Sequence, residues 1–376
     1  MHSNHGQDKQ FRRHIPALDG VRGCAAAAVF AFHYGGGAQS SFLPLRVIGN
    51  IHHFGWAGVS LFFVLSGFLI SGILWDGYQK PSWWRRFYAR RSLRIFPLYY
   101  LAIFLAVAVW LAFHIPPRLL TPLWVYALYL QDFPVLFPLI SHLPASIEIG
   151  HFWSLAVEEQ FYLVWPFVLA LFAGNRLSAK RMILTLWVLS LAFRVAVQGL
   201  NLPEWGSYFL LSRAGELLAG AYLALAVRGD AKEQQRLFRV LPYVLGISLL
   251  LLGVVSFFSP DGDIGTRWWC IPGLALLSIF FASIVGLSLK PGVLQSFFQL
   301  PLLRWLGKIS YGIYVYHLLF RHGFIWLTDR IAPGLGYNAK LGVLFAVALA
   351  GTLAIASLSF YTYESAFLRL KERLGH

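Results

Sequence analysis

The stretch 15–34, IPALDGVRGCAAAAVFAFHY, decides the fold class. As a helix it is about 30 Å long at 1.5 Å per residue, which matches the hydrocarbon thickness of a bilayer. Lys9, Arg12 and Arg13 precede it, and small apolar side chains fill its middle. Such a segment is either a membrane span or a secretory signal. Nine similar segments follow, and dropping the first would destroy the sidedness of the basic residues, so it reads as a span.

Working outward, the ten expected spans are 17–34, 56–75, 95–113, 152–173, 181–200, 208–227, 240–258, 269–288, 308–326 and 341–362. The composition agrees: 58% of the 376 residues are hydrophobic, only 12% are charged, and mean hydropathy is +0.62. A soluble domain carries roughly twice that charged fraction. Soluble enzymes, disulfide scaffolds and disordered chains are excluded. The sequence predicts an all-α polytopic helix bundle, a single membrane domain over 1–376 with short tails at 1–14 and 363–376. One apolar stretch, 120–140 (LTPLWVYALYLQDFPVLFPLI), is broken by Pro122, Pro134 and Pro138. A full span there would invert everything downstream, so it reads as a re-entrant or interfacial segment.

The net charge of +15 and pI near 10.0 come from basic loops rather than from a nucleic-acid surface. With the N-terminus inside, 22 Lys and Arg fall on the cytoplasmic side. Five fall opposite: Arg46, Arg118, Arg267, Arg330 and Lys340. By the positive-inside rule both termini are cytoplasmic. The two cysteines, Cys24 and Cys270, lie in apolar blocks. No CxxC or HExxH is present, so the expectation is no metal.

Ionisable residues inside spans are costly and mark function by default. Arg22 and His33 are eleven residues apart, about 20° past three full turns, so they share one helix face about 16 Å apart. An anion-binding group at one end and a proton acceptor at the other suit a long ligand with a charged head and a reactive tip. The plainer reading is that Arg22 snorkels to headgroups and His33 makes an ordinary polar contact. Residues 78–99 (YQKPSWWRRFYARRSLRIFPLY) are basic and aromatic, as for a helix lying on anionic lipid or a clamp for phosphate. In HFWSLAVEEQFYLVWPF (151–167), Glu158 and Glu159 point about 100° apart. One of them would orient a histidine or, alternatively, pair with Arg194 or Arg213. His317, in ISYGIYVYHLLF, is either part of the site or a packing residue.

Taken in order, these segments resemble the membrane acyltransferase 3 family of ten-span bacterial O-acyltransferases. The matching stretches are 15–34, GWAGVSLFFVLSGFLIS (55–71), FYARRSLRIFPLYYL (87–101), FWSLAVEEQFYLVWP (152–166), SRAGELLAGAYLA (212–224) and LGKISYGIYVYHLLF (306–320). They cover the chain from the first span to the ninth. Some members carry an additional SGNH-type domain, and the short stretch after the last span here implies the stand-alone form.

The resemblance implies acyl-CoA, with acetyl as the acyl group, as donor and a hydroxyl of a cell-surface or lipid-linked glycan as acceptor. It implies His33 as catalytic base and Arg91 and Arg94, joined by Arg22, on the CoA phosphates; the match does not fix which glutamate matters, and Glu158 is preferred for holding His33. Glu159 and His317 are expected on the acceptor side. The expected setting is the bacterial inner membrane, with the lipid bilayer, acyl-CoA and glycan as partners and no nucleic acid. The alternative from another class is a secondary transporter or a lipid or glycan flippase.

Overall fold

The computed structural model describes residues 15–35, 53–112, 114, 116, 120–143 and 148–373. The expected N-terminal tail with Lys9, Arg12 and Arg13, most of the loop after the first span with Arg46, and Arg118 lie outside the described residues. Among the described residues every regular element is helical. In chain order these are α1 Pro16–Tyr34, α2 Ala57–Gly77, α3 Trp83–Ala112, α4 Leu123–Ala127, α5 Phe137–Ile140, α6 Trp153–Ala170, α7 Arg176–Gly199, α8 Pro203–Ser207 and α9 Leu210–Ala226. There follow α10 Ala231–Phe258, α11 Leu274–Leu287, α12 Val293–Phe298, α13 Pro301–Lys308, α14 Ser310–Leu319, α15 Arg321–Ile331, α16 Tyr337–Ser359 and α17 Ser365–Arg373. In lipid a helix satisfies its backbone within the segment, which is why apolar runs of this length take that form.

Seven helical segments among the described residues are long and apolar enough to cross a membrane: Phe54–Gly77, Trp83–Ala112, Arg176–Gly199, Pro203–Ala226, Ala231–Phe258, Trp269–Leu287 and Tyr337–Lys371. The chain is a polytopic all-α membrane protein. Three of the ten expected spans fall short, and they are the three that carry most of the expected site. Asp19, Arg22 and His33 lower the hydropathy of α1, and Glu158, Glu159 and Gln160 lower that of α6. The ninth expected span is divided at Phe320 into α14 and α15. The proline-broken stretch 120–140 forms only short pieces, α4, a 3₁₀ turn at Pro134–Leu136 and α5, none long enough to span. Of the segment expected as a C-terminal tail, the described residues are helical: α16 runs through a π turn, Phe360–Glu364, into α17.

The described residues divide into two compact units interleaved along the chain. The first draws on the described residues up to Ala25, of Val59–Trp84 and of Val157–Lys308, and the second on those of Ala26–Gly58, of Arg85–Ala156 and from Ile309 onward.

In the first unit, α2 and α9 approach backbone to backbone. A Cβ on Gly67 would strike the Leu217 carbonyl, and one on Gly220 the Val64 carbonyl. Small residues of this kind let helices associate where lipid removes the hydrophobic drive. The N-terminal turns of α1 dock against α13 in the same way, with Gly307 against the Asp19 backbone.

In the second unit, Gly312 of α14 lies against Ala356 of α16, and Phe30, Tyr34, Phe324 and Ala348 form a buried cluster. Pro97 lies inside α3, which continues through it, and carbonyls beside it accept from outside donors: Tyr311 donates to Ile95 O at 2.8 Å and Tyr363 to Pro97 O at 3.2 Å. These bonds hold the turns that follow Arg91 and Arg94.

Candidate active site

The second unit gathers three histidines. His33 lies on the last turn of α1, His317 on α14, and His151 in a 3₁₀ turn, Gly150–Phe152, just before α6. His33 is half-buried, whereas His317 and His151 are buried. His33 Nδ1 lies 2.9 Å from Val29 O, one turn back on its own helix, and 3.2 Å from His317 Nε2. The His33 and His317 rings meet edge to face at 4.9 Å, and those of His317 and His151 at 5.0 Å.

The hydrogen-bond partners dictate where the protons sit. His317 Nδ1 faces two carbonyls, Tyr314 O at 2.8 Å and Ile313 O at 3.1 Å, which only accept. Its proton is therefore on Nδ1, and in the neutral ring Nε2 is a lone pair. His33 Nδ1 then has two acceptors before it, Val29 O and His317 Nε2, and must donate. The lone pair of neutral His33 is left on Nε2. His151 Nε2 reaches Tyr314 O at 2.9 Å, so one carbonyl receives two imidazole N–H groups.

Tyrosines lock this arrangement. Tyr34 donates to His317 O at 2.5 Å, Tyr314 donates to His151 O at 2.6 Å, and the Ser154 hydroxyl lies 2.5 Å from Tyr314 Oη. At the same end of α1, the Arg321 guanidinium sits 6.0 Å from the centre of the Tyr34 ring and bonds Glu148 at 3.1 and 3.3 Å.

Of the residues singled out in the sequence, the structure brings His33 and His317 together. Arg91 and Arg94 are half-buried, one turn apart on α3 in the same unit. The Arg91 guanidinium is 6.0 Å from the Phe87 ring centre, and Arg94 lies within electrostatic reach of the buried Glu364. Arg22 belongs to the first unit and bonds Asp19 at 2.9 Å. Glu158 and Glu159 are half-buried on α6, also in the first unit. The groups set against His33 Nδ1 are the Val29 carbonyl and an imidazole.

Arg213, considered above as a partner for Glu158 or Glu159, bonds Glu216 at 2.7 Å and Ser60 at 2.9 Å with all three side chains buried, and Arg194 is buried in the same unit. Asp19, Glu216, His151, Tyr314 and Arg321 were missed by the sequence reading. Four of the five had a signal: Asp19 and Glu216 stand three residues from an in-span arginine, His151 opens a quoted motif, and Arg321 is a charge within an expected span, whereas nothing local marks Tyr314. Among the described residues no cluster of His, Cys, Asp or Glu has the arrangement of a metal site.

Residues 15–361 match the acyltransferase 3 family model, described as an acyltransferase domain. The chain belongs to that family. It is 29% identical over 384 residues to the peptidoglycan O-acetyltransferase OatA of Listeria monocytogenes, covering 94% of this chain and 56% of that protein. It is 29% identical over 326 residues to the putative peptidoglycan O-acetyltransferase YrhL of Bacillus subtilis, covering 82% of this chain and 49% of the relative. The O-acetyltransferase OatA of Staphylococcus aureus is 27% identical over 323 residues, with 81% and 50% covered. The chain thus spans about half the length of the curated relatives it matches. No solved structure matches it.

Proposed function

We propose that this chain is a membrane O-acyltransferase of the bacterial inner membrane. It moves an acyl group, acetyl in the first instance, from acyl-CoA at the cytoplasmic face to a hydroxyl of a cell-surface or lipid-linked glycan. Family membership and the O-acetyltransferase relatives support the class of reaction, and peptidoglycan is the acceptor their names suggest. The observation that carries the catalytic assignment is the position of His33 Nδ1 between Val29 O and His317 Nε2, which leaves Nε2 as the basic nitrogen.

In this reading His33 Nε2 takes the proton of the acceptor hydroxyl as its oxygen attacks the thioester carbon. The C–O bond forms and the C–S bond breaks. The proton on Nε2 then passes to the departing CoA thiolate, so the base is restored. General-base assistance of this kind contributes about 10²–10⁴-fold. His317 plays the orienting part that a carboxylate plays in a hydrolase triad, accepting from Nδ1–H with a neutral ring. Arg91 and Arg94 hold CoA phosphates, because guanidinium forks match phosphate oxygens.

The test compares purified wild type, His33→Ala and Arg91→Ala/Arg94→Ala in acetyl-CoA binding and in acetyl transfer to glycan. The expected result is that His33→Ala binds acetyl-CoA with unchanged affinity and loses transfer by at least about 10²-fold, while the arginine variant loses binding. Retained turnover in His33→Ala removes His33 from the mechanism.

A further inference from the structure

Arg321 is an unusual place to spend a cation. It opens α15, where the helix dipole is positive, so its charge opposes helix stability. It lies within an expected span, where charged groups are costly. Glu148 compensates only part of the guanidinium: both carboxylate oxygens bond Nη1, at 3.1 and 3.3 Å. Nε is buried and has no hydrogen-bond partner among the described residues. The side-on edge of the guanidinium, Nε with Nη2, is thus the edge Glu148 does not engage. On an arginine such an edge binds two oxygens of one carboxylate or phosphate in parallel, and here the buried Nε is the donor that an anion arriving at Nη2 would satisfy.

The position ties this edge to the candidate base. Arg321 Cζ is 6.0 Å from the centre of the Tyr34 ring. Tyr34 is the neighbour of His33 in the chain, and its hydroxyl bonds the backbone of His317. Arg321 and Glu148 both lie within electrostatic reach of the His33 imidazole. The side chains of the pair are 36% and 33% exposed, so a ligand can reach them while the fork stays partly shielded from water.

We propose that Arg321, oriented by Glu148, is the recognition residue of the acceptor subsite, and that the acceptor presents an oxyanion, a carboxylate or a phosphate, near the hydroxyl that is acylated. This inference rests on the acyl-transfer reading above and names the chemical class of its acceptor. The same fork would also suit the phosphate of a bilayer lipid, so the experiment separates the two sources.

The experiment uses the full chain in neutral detergent, with thermal shift and calorimetry. Wild type, Arg321→Gln and Arg321→Lys are titrated with glucuronate, glucose 1-phosphate, methyl glucuronate and glucose, and in parallel with phosphatidylglycerol or phosphatidylcholine vesicles. Acetyl-CoA binding is measured on every preparation. The expected result is saturable binding of the two acidic sugars to wild type, at least tenfold tighter than the neutral pair. Both variants lose that preference, the lysine variant because it keeps the charge without the fork, while acetyl-CoA binding stays intact. Equal affinity for acid and ester, an unchanged preference in Arg321→Gln, or no acid-dependent sugar binding overturns the inference. Arg321-dependent discrimination confined to the anionic vesicles assigns the fork to lipid and also overturns it. Failure of wild type to bind acetyl-CoA is the separate result that removes the acyl-transfer reading.

Discussion

His33 Nδ1 and His317 Nε2 lie 3.2 Å apart although 284 residues separate them in the chain. The contact has a direction, because two carbonyls hold the His317 proton on its far nitrogen. His317 can only accept from His33, and His33 can only offer Nε2 as a base. When His33 gains a proton at Nε2, the Nδ1–H bond to a neutral lone pair strengthens, since charge-assisted hydrogen bonds are roughly twice as strong as neutral ones.

The direction of that bond predicts the outcome at position 317. His317→Gln retains an acceptor oxygen and is expected to keep a measurable fraction of transfer. His317→Leu, of comparable bulk without an acceptor, is expected to lose about 10²-fold or more in kcat. The KM for acetyl-CoA should stay unchanged in both. Equal losses in the two variants would reduce His317 to a packing residue.

Tyr34 supplies a second check. Tyr34→Phe deletes the hydroxyl that donates to the His317 carbonyl and leaves the buried ring in place. Loss of a buried hydrogen bond costs about 0.5–1.5 kcal/mol. The expected result is a small fall in Tm together with slower transfer and unchanged acetyl-CoA affinity. A normal rate at lowered stability would separate Tyr34 from the histidine pair.

In the first unit, Arg213 and Glu216 form an ion pair with side chains 1% and 0% exposed. Removing one partner leaves an uncompensated buried charge, at a cost of about 3–5 kcal/mol. Arg213→Leu and Glu216→Leu are each expected to lower Tm sharply in detergent, while the double variant recovers part of the loss. Additive losses in the double variant would mean the two residues do not act as a pair.

The α2–α9 crossing gives a prediction with an internal control. Gly67→Ala and Gly220→Ala force a Cβ into the opposing backbone, and overpacking of this sort costs about 1–3 kcal/mol. Gly246→Ala, on α10 with nothing within 4 Å of its Cβ, should be neutral or stabilising by up to about 1 kcal/mol. Thermal unfolding of the three variants checks the ranking, and equal behaviour would contradict the close approach.

The pairs that could be read directly lie within one or two helical turns. Arg22 with Asp19 and Arg213 with Glu216 are both three residues apart, and His33 with Val29 is four apart, distances at which helix geometry alone makes side chains neighbours. The in-span charges Arg22, Arg194, Arg213 and His33 were visible for the same local reason: they interrupt an apolar run. A carboxylate for His33 was expected at Glu158 because sequence shows which groups exist, not which helix faces meet. Within the second unit an imidazole lies against His33 Nδ1, and His151 joins it through a carbonyl that no side-chain pattern reports.

Hydropathy and basic-residue placement were sufficient by themselves for an all-α membrane chain, because lipid forces every apolar run of that length to satisfy its own backbone. The breaks in 120–140 follow equally from missing proline N–H groups. What only tertiary structure decided is the rotation of each helix about its axis. Small residues such as Gly312, set against Ala356, allow particular faces to meet. That rotation, rather than anything local to residues 33, 151, 317 or 321, brings three histidines together and leaves the Arg321 fork beside them.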